Sequence, residues 1–88
     1  MPREHHRLKL TVKSTSGSFT EEFNSENKAE KVLHEAIRRL HLDPNPAVAY
    51  VLKRESDGRT LTLSERLGDQ GIDNGDIIIV QAGQAQDG

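Results

Sequence analysis

Residues 57–80, DGRTLTLSERLGDQGIDNGDIIIV, set the architecture of this 88-residue chain. The stretch opens on Asp-Gly, a strong signal for a tight turn between strands. It closes on four consecutive aliphatic residues, 77–80, which are typical of a buried strand. The turn follows a predicted strand at 49–52 and precedes a short predicted strand at 60–63, and residues 64–67 have the pattern of a single helical turn. This half of the chain therefore contributes two or three strands to a sheet.

Alternating apolar and polar residues predict a β-hairpin at the start of the chain. Residues 8–12 and 19–23 both have the period-2 pattern of a half-buried strand. The turn residues 14–17 between them favour antiparallel pairing. Glu21 falls on the phenylalanine face of the second strand, so we expect it near an edge of the sheet or at the rim of the core.

The spacing of apolar residues changes to three and four over residues 29–40, which indicates an amphipathic helix of about four turns. Asn27 and Glu30 have the spacing of a helix N-cap and its capping-box partner. Residues 43–46, Asp-Pro-Asn-Pro, are expected to end the helix because proline cannot continue the hydrogen-bond ladder. The predicted order is ββαββ: an α+β fold with a mixed sheet of four to five strands packed on one helix.

The composition narrows the class of protein. A chain of 88 residues fits one small domain. It contains no cysteine, which excludes disulfides, zinc–thiolate sites and a thiol nucleophile, and suits a reducing cytoplasm. A net charge of −2 with interleaved signs, and only three aromatic residues, argue against a nucleic-acid surface. No stretch resembles a signal peptide or a membrane span.

Possible metal and catalytic sites fail on spacing. Asp69, Asp73 and Asp76 do not supply the alternating ligands of a calcium loop. His34 and His41 are seven residues apart on the helix, roughly 10 Å along its axis, too far to hold one ion unaided. The glycines near residue 70 precede a strand, whereas a phosphate loop must open a helix. We therefore predict no catalytic residue, no metal and no resident cofactor, and expect the chain not to be an enzyme.

The order of elements and the second half of the chain resemble the ubiquitin-like β-grasp family, in particular its small bacterial members. The matching positions are Gly58 at the reversing turn and Leu61, Leu67 and Ile72 in the core. The resemblance covers residues 8–80 and implies one ubiquitin-like domain there. We expect residues 1–7 to be a flexible arm and residues 81–88 a flexible tail.

The resemblance also implies a function for the tail. Conjugated ubiquitin-like proteins end in a glycine whose carboxylate an activating enzyme adenylates. Gly88 is therefore the predicted conjugation residue, and Ala85, Gln86 and Asp87 are predicted to enter the active site of the partner. Such modifiers commonly end in two glycines preceded by arginines, whereas this chain ends in one glycine and has no basic residue after Arg66. The departure resembles diverged modifiers of bacterial operons that also encode activating, conjugating and deconjugating enzymes.

The partners that this family implies are an activating enzyme that uses ATP, a conjugating enzyme, a deconjugating peptidase and a protein target modified on an amine or hydroxyl. No nucleic acid or membrane partner is expected, and the chain is expected to be a cytoplasmic monomer when alone. If modifier chains form, the possible acceptors are Lys9, Lys13, Lys28, Lys31 and Lys53.

Strand alternation predicts a partner-binding patch on the open face of the sheet. If Ile77 and Ile79 pack on the helix, Ile78 and Val80 face the other way. Val51 in the third predicted strand should share that face. These three residues would form a small exposed apolar patch of the kind that marks a protein interface.

Two other functions stay open at this point. The chain could be a non-covalent β-grasp interaction module, such as an accessory of a secretion system, for which the tail is dispensable. It could also be a sulfur carrier with a terminal thiocarboxylate, although such carriers usually retain paired glycines.

Overall fold

The computed structural model describes residues 7–83, which form the predicted ββαββ order. The elements are β1 (Arg7–Ser14), β2 (Gly17–Asn24), α1 (Ala29–Arg39), β3 (Val51–Arg54) and β4 (Ile77–Gln81), with 3-10 turns at Pro46–Val48 and Gly68–Gln70. Of the predicted arm, residues 1–6 lie outside the described residues, and Arg7 is instead the first residue of β1. Of the predicted tail, residues 84–88 lie outside them, and Gln81 is instead the last residue of β4.

The described strands form one mixed sheet in the order β2-β1-β4-β3. β1 and β4 run parallel in its centre, and the two outer pairs are antiparallel. One face of the sheet packs on α1, whose buried residues recur at spacings of three and four, as predicted. The buried apolar side chains of the core are Leu8, Leu10, Val12, Phe23, Ala29, Val32, Leu33, Ala36, Leu52, Leu61, Leu67, Ile72, Ile78 and Val80.

The short strand predicted at 60–63 does not form. Thr60 makes only an isolated bridge with Lys53. At Thr62, two residues further along the chain, the backbone is bonded to the side chain of Gln70. This side chain accepts a hydrogen bond from the Thr62 N–H at 2.6 Å and donates one to the Thr62 carbonyl at 2.9 Å. Because these backbone groups are bonded to a side chain, they do not continue the ladder.

The start of α1 differs from the predicted capping box. The Asn27 side chain accepts from the N–H of Asn24 at 2.9 Å rather than from the helix. The first helical N–H groups donate instead to a neighbouring loop, from Ala29 to the Glu65 carbonyl at 2.9 Å and from Glu30 to the Leu63 carbonyl at 3.0 Å. Tertiary hydrogen bonds therefore replace a local cap.

The end of α1 precedes the prolines that were expected to stop it. The helix has 11 residues, about three turns. His41 has a φ of 54°, and the Leu42 N–H donates to the Ile37 carbonyl at 3.0 Å. This is the bond of a Schellman motif, which terminates a helix without proline. A second left-handed residue, Ala49 (φ 53°), delays the start of β3 by two residues from the predicted position.

The edge strand β2 carries Glu21 on its helix side, which confirms the expected position at an edge. Glu21 is half-buried and forms an ion pair with Arg39 of α1. The Arg39 guanidinium also lies 4.6 Å from the centre of the Phe19 ring. Arg39 thus contacts both Glu21 and Phe19 and links β2 to α1, which allows the acidic Glu21 to lie on the core side of the sheet.

Candidate functional site

The open face, which is the side of the sheet away from α1, does not carry the predicted patch. Ile78 is 0% exposed and Val80 is 5% exposed, and both belong to the core. They share their face with their buried cross-strand partners Val12 and Leu52. The four consecutive aliphatic residues of β4 contain no polar position that would mark its solvent-facing side. The sequence pattern therefore did not determine which residues of β4 face the core, and the prediction assigned the wrong pair to the open face.

The aliphatic residues on the open face are Ile77 and Ile79 of β4 and Val51 of β3. All three are half-buried. Val51 lies on the open face, as predicted, but it does not share that face with Ile78 and Val80, since its neighbour Leu52 is the residue buried with them. We call Ile77, Ile79 and Val51 the open-face patch. A cluster of aliphatic side chains on an uncovered sheet face is a feature that protein partners use.

Lysines frame the open-face patch. Ile79 is paired with Lys13 of β1 on one side and with Lys53 of β3 on the other. The Lys13 ammonium lies 3.3 Å from the carboxylate of Glu55, so this ion pair crosses β4. Both side chains are 44% exposed, so the pair contributes less than about 1 kcal/mol to stability. The cross-strand geometry therefore gives an apolar centre with a charged border.

The predicted conjugation residue Gly88 and the tail residues Ala85, Gln86 and Asp87 lie outside the described residues. The described chain leads towards them from the β3 edge of the sheet, because Gln81 is paired with Val51 and is followed by Ala82 and Gly83. The open-face patch and the exit of the tail are therefore neighbours.

The acidic residues near the Asp57-Gly58 turn serve the structure of the domain. The Arg54 guanidinium donates to Asp57 at 2.9 and 3.3 Å and to the Gly71 carbonyl at 2.7 Å. It also lies 3.6 Å from the carboxylate of Asp76. The hydrogen bonds from Arg54, followed by one from the Arg59 N–H, lower the pKa of Asp57 from 3.8 to about 2. Arg54 thus holds the turn after β3 against the loop before β4.

Gln70 is a structurally important residue that the sequence did not reveal. Its side chain is buried, with the whole residue 3% exposed. Besides its two bonds to Thr62, it donates to the Glu65 carbonyl at 3.1 Å. The loop that it holds is the one that caps α1. No local signal distinguishes this glutamine from a solvent-exposed one, since it lies in a glycine-rich loop where polar residues are usual.

Within residues 7–83, no group of three or more His, Asp or Glu side chains is arranged to hold a metal ion. No helix in the same range has the length and apolar character needed to cross a bilayer.

Asp76, one of the aspartates in the glycine-rich loop, accepts from the Asp73 N–H at 2.9 Å. The neighbouring Asn74 accepts from the Lys9 N–H at 2.7 Å and so ties the loop to β1.

Comparison with solved structures identifies the fold as the ubiquitin-like β-grasp, which confirms the predicted α+β class. The ubiquitin of Caldiarchaeum subterraneum is 18% identical, with a TM-score of 0.71 over 92% of this chain and 99% of that one. A ubiquitin-like domain from Arabidopsis thaliana is 23% identical, with a TM-score of 0.67 over 99% of this chain and 100% of that one.

A protein designed on the basis of ubiquitin is 17% identical, with a TM-score of 0.75 over 94% of this chain and 96% of that one. No family profile and no curated protein matches the sequence. At these identities the likeness establishes the fold, and function has to be argued from the residues of this chain.

Proposed function

We propose that this chain is a ubiquitin-like protein modifier in a bacterial conjugation pathway. Its reactive group is the carboxylate of Gly88, and its partners are an activating enzyme, a conjugating enzyme, a deconjugating peptidase and a protein target. The proposal is supported above all by the last strand of a ubiquitin-like fold, which leads directly into a segment that reaches Gly88. In this proposal the pathway operates in the cytoplasm and the chain itself performs no catalysis.

The chemistry requires little of this chain. An oxygen of the Gly88 carboxylate attacks the α-phosphorus of ATP on the activating enzyme, and pyrophosphate leaves. A partner thiolate then attacks the acyl carbon and displaces AMP. A target amine or hydroxyl displaces that thiolate and loses its proton to a base of the partner. Glycine suits the reacting position because it has no Cβ to obstruct a narrow channel. Asp87 requires a channel that accepts a carboxylate next to the reacting residue.

The open-face patch is the proposed docking site for the partner enzymes. It lies beside the exit of the tail, so an enzyme bound there has the tail within reach. Its aliphatic centre favours a partner surface with an apolar core, and its charged border of Lys13, Lys53 and Glu55 favours a rim of complementary charges. Compared with the patch predicted from the sequence, this docking site contains the half-buried Ile77 and Ile79 in place of the buried Ile78 and Val80. Val51 belongs to both.

The open-face patch also supports a second candidate function, because a non-covalent interaction module would need this surface and not the tail. Such a module, for example a secretion-system accessory, would bind its partner without forming an adduct. A sulfur carrier is a third candidate, in which the Gly88 carboxylate becomes a thiocarboxylate.

One experiment separates these functions. Wild-type protein and a variant lacking Gly88 are recovered from their native cells under mild lysis, and their intact masses are measured. Adducts joined through Gly88 and absent from the deletion support the modifier. A mass gain equal to one sulfur replacing one oxygen indicates the carrier. Unmodified masses in both samples, with proteins still co-purifying, would refute conjugation in favour of the interaction module.

A further inference from the structure

Gly83 makes a close backbone contact where the chain leaves the sheet. A Cβ added to Gly83 would lie 1.9 Å from the carbonyl oxygen of Ala49 and 3.1 Å from its carbonyl carbon. Gly83 does not have a positive φ, so the requirement for glycine comes from this approach and not from backbone conformation. Because the obstructing atoms belong to the backbone, no side-chain rotation can make room for a larger residue.

The register of the sheet explains why these two residues meet. Val51 and Gln81 are the last pair of the antiparallel β3–β4 ladder. Continuing that register by two residues places Ala49 opposite Gly83. Ala49 is in the left-handed conformation, with φ 53° and ψ 55°, and its carbonyl lies against the space that a Cβ of Gly83 would fill.

The segment beneath Gly83 is held in place by local bonds. The Ala49 N–H donates to the Pro46 carbonyl at 3.1 Å, and the Asn45 side chain accepts from the Ala47 N–H at 2.9 Å. The Asp43 side chain accepts from the Asn45 N–H at 2.9 Å. Two prolines in this segment further restrict its backbone. We call residues 43–49 the platform.

We propose that Gly83 is a positioning residue: its contact with Ala49 holds residues 81–83 against the platform and fixes the point at which the C-terminal segment leaves the domain. The inference rests on the proposed function in that the positioned segment carries Gly88. The five residues 84–88 span at most roughly 18 Å when extended. An enzyme that acts on Gly88 must therefore bring its reacting centre within that distance of the platform.

The test compares Gly83→Ala with Ala82→Ser in the full chain by ¹H–¹⁵N NMR. Each change adds one heavy atom, but only the first adds it against the Ala49 carbonyl. In Gly83→Ala we expect lower heteronuclear NOE values at Gln81 and Ala82 and a shifted amide signal at Ala49, whereas Ala82→Ser should preserve the wild-type values of these quantities. Unchanged NOE values and shifts in Gly83→Ala would overturn the proposal.

A second variant approaches the contact from the other side. Asn45→Ala removes a side-chain bond within the platform and leaves the tail sequence intact. We expect lower NOE values at Ala82 and Gly83, with core signals such as those of Leu10 unchanged. If Gly83→Ala fails to fold, this variant alone decides the question, and retained order at Gly83 would overturn the proposal.

These NMR measurements need no partner, so they test the contact between Gly83 and the platform even if Gly88 is never adenylated. Where adenylation occurs, we expect Gly83→Ala to raise the KM of the activating enzyme for this chain and to leave kcat unchanged. An unchanged KM would show that the contact does not position the tail for the enzyme. Absence of adenylation in all variants would instead refute the proposed function.

Discussion

At the scale of single residues, Gln70 and Asp57 show that polar side chains hold the irregular half of the domain. Gln70 binds backbone groups of the 62–66 loop from a buried position. Asp57 is more exposed and pairs with Arg54. Neither residue lies in the open-face patch, so substitutions at these positions test the fold separately from partner binding.

Replacing Gln70 by Ala should destabilise the domain by about 1–3 kcal/mol, because buried backbone groups lose their hydrogen-bond partner. The free energy of unfolding can be measured by urea denaturation. Gln81→Ala, at an exposed position, is the matched control and should change stability by less than about 0.5 kcal/mol. Equal effects at the two glutamines would contradict the buried network.

The stabilising contribution of Asp57 should depend on acid pH. Its pKa is lowered from 3.8 to about 2 in the folded state, so the unfolded chain takes up the proton first as the pH falls. The contribution is present above pH 3.8 and is lost as the pH falls through about 2. The difference in Tm between wild type and Asp57→Asn should therefore shrink between pH 4 and pH 2. A constant difference across that range would argue against the Arg54–Asp57 pair.

At the scale of elements, the sequence predicted strands and helices correctly where apolar residues recur with a regular period, and it failed where they do not. Strands β1 and β2 and the buried stripe of α1 follow from alternation and from three-and-four spacing. The four aliphatic residues of β4 reveal a strand but not its orientation, which is why Ile78 and Val80 were predicted on the wrong face. The capping box was wrong for a different reason, since the loop carbonyls that bond to the start of α1 are distant in sequence.

Neighbouring isoleucines in β4 test its orientation. Ile78→Ala should cost about 2–5 kcal/mol, because it leaves a cavity in the core. Ile79→Ala, on the half-buried open face, should cost only about 1 kcal/mol. Both values come from urea denaturation of otherwise identical chains. A larger loss for Ile79→Ala would reverse the assigned faces.

The open-face patch can be tested without disturbing the core. Ile79→Asp places a negative charge in its centre, opposite to the charge of the surrounding lysines, and should slow transfer by the partner enzymes. Thr20→Asp, on the same face but on the distant edge strand β2, is the control for charge alone. Transfer rates that are equal in the two variants would exclude the patch as a docking site.

At the scale of the whole molecule, the tail and the folded domain are expected to be separable. Deleting Gly88 should abolish adduct formation and leave Tm unchanged, because a residue at a chain terminus usually contributes little to the stability of a domain. Differential scanning calorimetry and intact-mass analysis of the same samples check both halves. A lower Tm in the deletion would mean that the terminal residue also supports the fold.

The central pairing of β1 with β4 carries a consequence for biosynthesis. Val12 near the start of the chain is paired with Ile78 near its end, so a ribosome must release almost the whole domain before the sheet can close. A prematurely terminated chain that lacks β4 leaves the hairpin without its neighbour and exposes apolar strand surface. Exposed apolar surface and unpaired strand edges are what make incomplete chains prone to aggregation, so we expect the completed β4 to be what protects the nascent domain.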